Sequence, residues 1–252
     1  MTTNTREMLV KVPEVTLLFW VIKVLATTLG ETGGDAVSMS MHLGYLVSTG
    51  IFAVIFLVAV SAQIAAKRFH PVVYWITIIA TTTVGTTMAD FTDRSLGIGY
   101  LGGTSILLAL LLTSLWLWYR TLGTVAVATV GSVRSELFYW VTIMFSQTLG
   151  TALGDWVADS AGMGYLGGAV VFGGLLAGVA VAYYRTSVSR TWLFWTAFVL
   201  TRPLGAVVGD FLDKPVSKGG LDLSRYSATA TLLLLIAFFI FSFTHRPARQ
   251  TH

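Results

Sequence analysis

Hydrophobic residues gather into eight runs along the chain, each near the ~20 residues an α-helix needs to cross a bilayer. They predict helices near 14–36, 44–66, 72–92, 99–119, 137–158, 164–184, 191–212 and 226–244. These pair into four hairpins, roughly 14–66, 72–119, 137–184 and 191–244. Within each odd helix, polar positions recur every fourth residue, which places them on one face. The fold class expected is therefore an all-α membrane protein, one transmembrane domain over residues 1–252 built from eight transmembrane helices.

One pattern is written in all four hairpins: Trp, ten residues to Gly, five more to Asp. It reads Trp20–Gly30–Asp35, Trp75–Gly85–Asp90, Trp140–Gly150–Asp155 and Trp195–Gly205–Asp210. A repeat of two helices keeps every copy in the same orientation. Parallel repeats imply a pseudo-symmetry axis along the membrane normal, with the odd helices facing one another across it or pairing as two halves. A Gly-Tyr pair opens the even helix at Gly44-Tyr45, Gly99-Tyr100 and Gly164-Tyr165, each tyrosine ten residues after its Asp. In the fourth hairpin an insertion around 214–220 delays the counterpart, Tyr226, to sixteen residues after Asp210.

This fourfold Trp-Gly-Asp spacing resembles that of bacterial membrane proteins built from four tandem copies of a two-helix "repeat of unknown function", each marked by a tryptophan. The resemblance covers roughly residues 14–244. It implies the topology and leaves function to the residues.

Composition narrows the function classes. Charged residues are 11% of the chain and hydrophobic ones 55%, against roughly 25% charged in soluble domains; mean hydropathy is +0.76. There is no cysteine, which removes disulfides, thiolate metal sites and thiol catalysis. His42, His70, His245 and His252 fall in links or the tail without metal-ligand spacing. No phosphate-binding loop or nucleophile elbow is present, no cleaved signal peptide is expected, and nothing suggests nucleic-acid binding. Basic residues orient the chain. The N-terminus, the links between hairpins and the C-terminal tail hold Arg6, Lys11, Lys67, Arg68, Arg120, Arg134, Arg185, Arg190, Arg246 and Arg249, while the links inside hairpins hold Arg94, Lys214, Lys218 and Arg225. Both termini are thus expected in the cytoplasm, in a cell (inner) membrane. The four tryptophans would then serve as interfacial anchors, or pack between repeats.

Acids in apolar spans are costly and point to function. One turn before each Asp stand Glu31, Thr86, Thr151 and Ala206; two turns before stand Thr27, Thr82, Gln147 and Arg202. Asp35, Asp90, Asp155 and Asp210, with Glu31, Thr86, Thr151 and Gln147, are the candidate ion-binding residues. Carboxylates and hydroxyls suit hard divalent cations, so the four aspartates are also candidate metal ligands. A desolvated Asp among like charges can equally carry a proton. The bland alternative is that each Asp bonds the adjacent turn. Small residues one turn apart beside each Asp (Gly30/Gly34, Gly85/Ala89, Gly150/Gly154, Gly205/Gly209) predict close helix approach.

Further acids, Asp93, Asp159 and Asp213, are expected as solvated rim charges. Lys23 and Arg202 are the basic residues set deep in spans. They are read as pairing with acids, Lys23 approaching Glu31 and Arg202 lying on the face of Asp210, or as holding an anionic substrate. The expected function is a small secondary transporter or channel for cations, with no resident cofactor and a cation, divalent or proton, as cargo. Its partners would be membrane lipid and a possible second copy of itself. The competing classes are a non-transporting membrane scaffold and an intramembrane aspartyl hydrolase; the chain lacks the Gly-x-Gly-Asp signature of the latter, reading Thr-Gly-Gly-Asp at 32–35 and Ala-Leu-Gly-Asp at 152–155. It is not expected to be an enzyme.

Overall fold

The computed structural model describes residues 10–248; Arg6, Arg249 and His252 lie outside the described residues. Eight long helices form: α1 (Leu17–Asp35), α2 (Gly44–Ala65), α3 (Pro71–Asp90), α4 (Gly99–Leu122), α5 (Val133–Asp155), α6 (Gly164–Arg185), α7 (Arg190–Asp213) and α8 (Arg225–Ser242). Their ends follow local chemistry. The Thr16 hydroxyl accepts from the Phe19 amide at the start of α1, and Pro71 opens α3, where a missing N–H costs nothing. Ser132 and Ser135 cap α5 reciprocally. Gly44, Gly99 and Gly164 begin the even helices at φ 73°, 74° and 65°, a left-handed backbone that explains the glycine of each Gly-Tyr pair.

The odd helices form a closed ring: α1 packs on α3, α3 on α5, α5 on α7 and α7 on α1. The even helices lie outside, each against the odd helix of the following hairpin, with α8 returning to α1. Hydroxyls link several of these seams. Thr77 donates to the Ala59 carbonyl (3.3 Å), Ser114 meets Thr142 (2.8 Å) and Thr229 donates to Thr32 (3.0 Å). Six of the eight helices are long and apolar enough to cross a membrane. The other two, α1 and α5, are inner helices, most of whose residues are buried. In the most apolar stretch of α3 and α7, 72% and 61% of residues are buried, against 17–28% in the outer helices. The outer faces present Leu46, Val54, Leu57, Leu101, Leu166 and Leu234, a surface only a lipid-like medium accommodates.

Glycine and tryptophan explain their own repetition. A methyl group added at Gly30 would strike Thr82, at Gly85 Gln147, at Gly150 Arg202 and at Gly205 Thr27, each within about 3.0 Å. The glycine of each inner helix thus accepts the side chain two turns before the Asp of the next, around the whole ring. Gly34, Gly154 and Gly209 do the same for Thr86, Ala206 and Glu31. Close approach at small residues is as expected from their spacing.

The tryptophans pack between helices. Trp75 is fully buried, and Trp140 and Trp195 are 2% and 3% exposed. Phe19 meets Trp75 (5.5 Å between ring centroids), Tyr74 meets Trp140 (5.8 Å), Tyr139 meets Trp195 (6.3 Å) and Phe194 meets Trp20 (5.7 Å). These contacts close a second ring and fill the bundle axis with aromatic side chains at this end. The interfacial-anchor expectation fails for the three buried tryptophans, because their neighbours are aromatic rings of adjacent helices. At the same end the two terminal segments pair, Pro13 bridging antiparallel to Pro247. Lys11 runs inward to Glu136 (2.7 Å).

Candidate functional site

In three hairpins the chain does not stop helical winding at the aspartate. A five-residue π-helical turn continues it at Ala36–Ser40, Phe91–Ser95 and Trp156–Ser160, and in the fourth the α-helix itself runs on to Asp213. Each aspartate therefore sits within a helix, and none of the first three caps its turn through the side chain. Asp90 and Asp210 do bond the segment that follows each, through Arg94 and Lys214, whereas Asp155 and Asp35 pair with bases of other hairpins. π turns widen a helix locally and recur at functional positions.

Asp35, Asp90, Asp155 and Asp210 are all at most 2% exposed, one from each inner helix, and they meet in two pairs around two bases. Lys214 bonds the Asp35 carboxylate and reaches Asp210 at 2.8 Å and Asp213 at 3.7 Å. Arg225 joins this cluster, 2.7 Å from Asp213 and 3.8 Å from Asp35, and donates to Ser40 (3.2 Å). On the other side Arg94 bridges Asp90 (3.1 Å) and Asp155 (3.0 Å) and donates to the Tyr45 and Tyr100 hydroxyls, both at 3.2 Å. Tyr100 in turn donates to Asp159 (3.3 Å). Burial presses the Lys214 ammonium down, but Asp210, Asp35 and Asp213 outweigh it and hold the group well above the usual lysine range.

One turn deeper lies Arg202, fully buried. It pairs with Glu31 at 3.0 Å, donates to the hydroxyls of Thr86 and Thr151, and reaches the Thr27 carbonyl at 3.4 Å. Thr86 also donates to Glu31 (3.3 Å). The expected layer of Glu31, Thr86 and Thr151 thus forms, and Arg202 enters it from the turn below, where the small Ala206 leaves the fourth position open. Arg202 binds Glu31; the expected pairing with Asp210 does not form. Nor does Lys23 pair with Glu31. Its ammonium faces Gln147 (3.4 Å) and stands 4.2 Å from the centre of the Phe198 ring.

For a metal ion, Glu31, Asp35 and Asp210 each offer one oxygen within 4.8 Å of the others. Of the four aspartates expected as ligands, only Asp35 and Asp210 enter this group; Arg94 occupies the space between the other two. The rim acids also depart from expectation. Asp93 and Asp213 are buried at 6% and 4% exposure, and Asp159 alone is exposed.

Sequence reasoning placed Arg94, Lys214 and Arg225 among solvated links, whereas the structure turns all three inward. The signal was present for two of them: Asp90–Arg94 and Asp210–Lys214 are four apart, the spacing at which helical side chains meet. Tyr45 and Tyr100, repeat-equivalent in sequence, owe their contact to Arg94.

Fold and site together define a helical bundle of membrane type whose inner helices enclose layers of ion pairs. The chain belongs to the family described as Repeat of Unknown Function (DUF347), which it matches four times, over residues 18–69, 73–124, 138–189 and 193–247. Each match starts two residues before its tryptophan, in register with the Trp-Gly-Asp pattern. No curated protein and no solved structure matches the chain.

Proposed function

We propose that this protein is a secondary transporter for cations, in which the four-aspartate layer is the ion site and Lys214 and Arg94 are counter-ions that the cargo displaces. The observation carrying this reading is that five buried carboxylates from four different helices converge (Glu31, Asp35, Asp90, Asp155 and Asp210). Desolvating that many acids is tolerable only with positive charge among them. Here the charge sits on side chains that have somewhere else to go: Lys214 follows the end of α7, and Arg94 lies in a π turn with partial exposure of 28%. A hard cation or protons taking their place would preserve neutrality while freeing the bases.

A carrier fits better than a pore. Arg202 crosses the axis at the centre, and the aromatic rings fill it at the tryptophan end. Cargo would enter from the aspartate end, which the positive-inside rule puts outside, with both termini in the cytoplasm of a bacterial inner membrane. The cyclic glycine and aromatic contacts support four parallel repeats about an axis along the membrane normal. Catalysis by an aspartate pair is disfavoured, since such a pair shares a proton and Lys214 or Arg94 stands in that place. No resident cofactor is needed; a divalent cation would be cargo.

The test is flux into proteoliposomes, followed with a pH dye and a divalent-cation dye across a panel of cations, for wild type and the quadruple Asp→Asn variant. Cation-dependent flux lost in the variant is the expected result. Absence of flux for every ion, with folded protein, would sink the proposal and favour a scaffold.

A further inference from the structure

Two to three turns below the aspartates, the bundle holds buried hydrogen-bond donors that lack acceptors. Lys23, Thr82, Gln147 and Arg202 are all fully buried. Lys23 has no carboxylate within ion-pair distance among the described residues; its contacts are Gln147 Oε1 at 3.4 Å and the Phe198 ring. Arg202 commits its terminal nitrogens to Glu31, Thr27, Thr86 and Thr151, and its Nε has no partner. Gln147 Nε2 and Thr82 Oγ1 are also without partners. The unpaired groups come from α3, α5 and α7, with the Lys23 ammonium from α1.

Buried donors left unmade are expensive, and a buried ammonium without an acid more so. At the level of Lys23 the other inner helices supply Ile78, Ile143 and Phe198, all fully buried, so no carboxylate is offered there. Glu31, eight residues along the same helix, is already engaged by Arg202. A guest that is negatively charged and rich in acceptors would offer these groups the partners they lack.

We propose that Lys23, Gln147 and Arg202 Nε, with Thr82, form a binding site for a small monovalent anion of halide or carboxylate size inside the bundle. Eight residues of helix put it about 12 Å from the aspartate layer, far enough for a cation and an anion to be held together without contact. The site stands on its own geometry and does not depend on cation transport.

The test uses the purified full-length protein in detergent. Its thermal unfolding is followed while chloride, bromide or formate replaces gluconate at constant ionic strength. A saturable rise in midpoint is expected, since a ligand that binds only the folded state stabilises it. Lys23→Met and Gln147→Leu should each weaken the apparent anion constant about tenfold or more. Bromide in crystals should give an anomalous peak between Lys23 and Arg202. Saturation by halide, by formate or by both supports the site and tells its size class. Should Lys23→Met fail to fold, Gln147→Leu carries the test. No saturable response in wild type, or one that the folded variants keep unchanged, overturns the proposal and leaves Lys23 as a neutral amine.

Discussion

Asp35 and Asp210 meet around Lys214, whereas Asp90 and Asp155 meet around Arg94. The backbone positions are equivalent, yet the clamps differ in depth and company. The Lys214 side chain is 9% exposed and reaches a third acid, Asp213, which Arg225 also holds. The Arg94 side chain is 28% exposed and leans on two tyrosine hydroxyls. Equal acids with unequal bases teach that the ring is not four copies of one site. The Lys214 half is a tight, desolvated lock, and the Arg94 half is the looser one, closer to water and better placed to release first.

The variant with the largest expected effect strikes both halves at once. Arg202→Ala removes a side chain that touches all three other inner helices and leaves Glu31 buried without a charged partner. Loss of about 3–5 kcal/mol is expected, read as a fall in unfolding midpoint in detergent, with much of it restored by adding Glu31→Gln. Next comes the comparison itself. Lys214→Met should cost about 3 kcal/mol because it strands Asp35 and Asp210 in a dry place, and Arg94→Met less, because its 28% exposed side chain leaves a space that water can enter beside the buried Asp90 and Asp155. Equal losses would erase the distinction between the halves. Gly85→Ala and Gly205→Ala test the packing common to both and should each cost about 1–3 kcal/mol through overpacking. If only one of them is felt, the ring of glycine contacts is not continuous. Smallest of all, Leu46→Ala on the outer face of α2 should change the midpoint by less than the equivalent of about 0.5 kcal/mol.

The helices, their pairing into hairpins and the polar faces of the inner four were legible because each is a local matter of hydrophobic length and fourfold spacing. So was the layer of Glu31, Thr86 and Thr151. Partner choice was not. Arg202 lies on the face of Asp210 in sequence, but the small Ala206 and the opposing Gly150 let its long side chain run inward to Glu31 of the adjacent α1 and to Thr86 of α3. The tryptophans read as interface residues because amphipathic rings near span ends usually are; their burial depends on Phe19, Tyr74, Tyr139 and Phe194 arriving from neighbouring helices. Arg94 and Lys214 read as loop charges, since the apolar runs at 72–92 and 191–212 stop just short of them. The π turns and the extension of α7 carry winding past that point and bring both bases round onto the acids. Their inward turn leaves Lys218 as the exposed base of the inner-hairpin links.

The central claim is that the four aspartates act as one site. Cation flux should be measured in proteoliposomes for the four single variants Asp35→Asn, Asp90→Asn, Asp155→Asn and Asp210→Asn against wild type. One shared site predicts that each variant alone loses most of the flux, with the Asp35 and Asp210 variants most impaired. Four partial losses that add up to the quadruple variant would contradict it and assign each aspartate a path of its own.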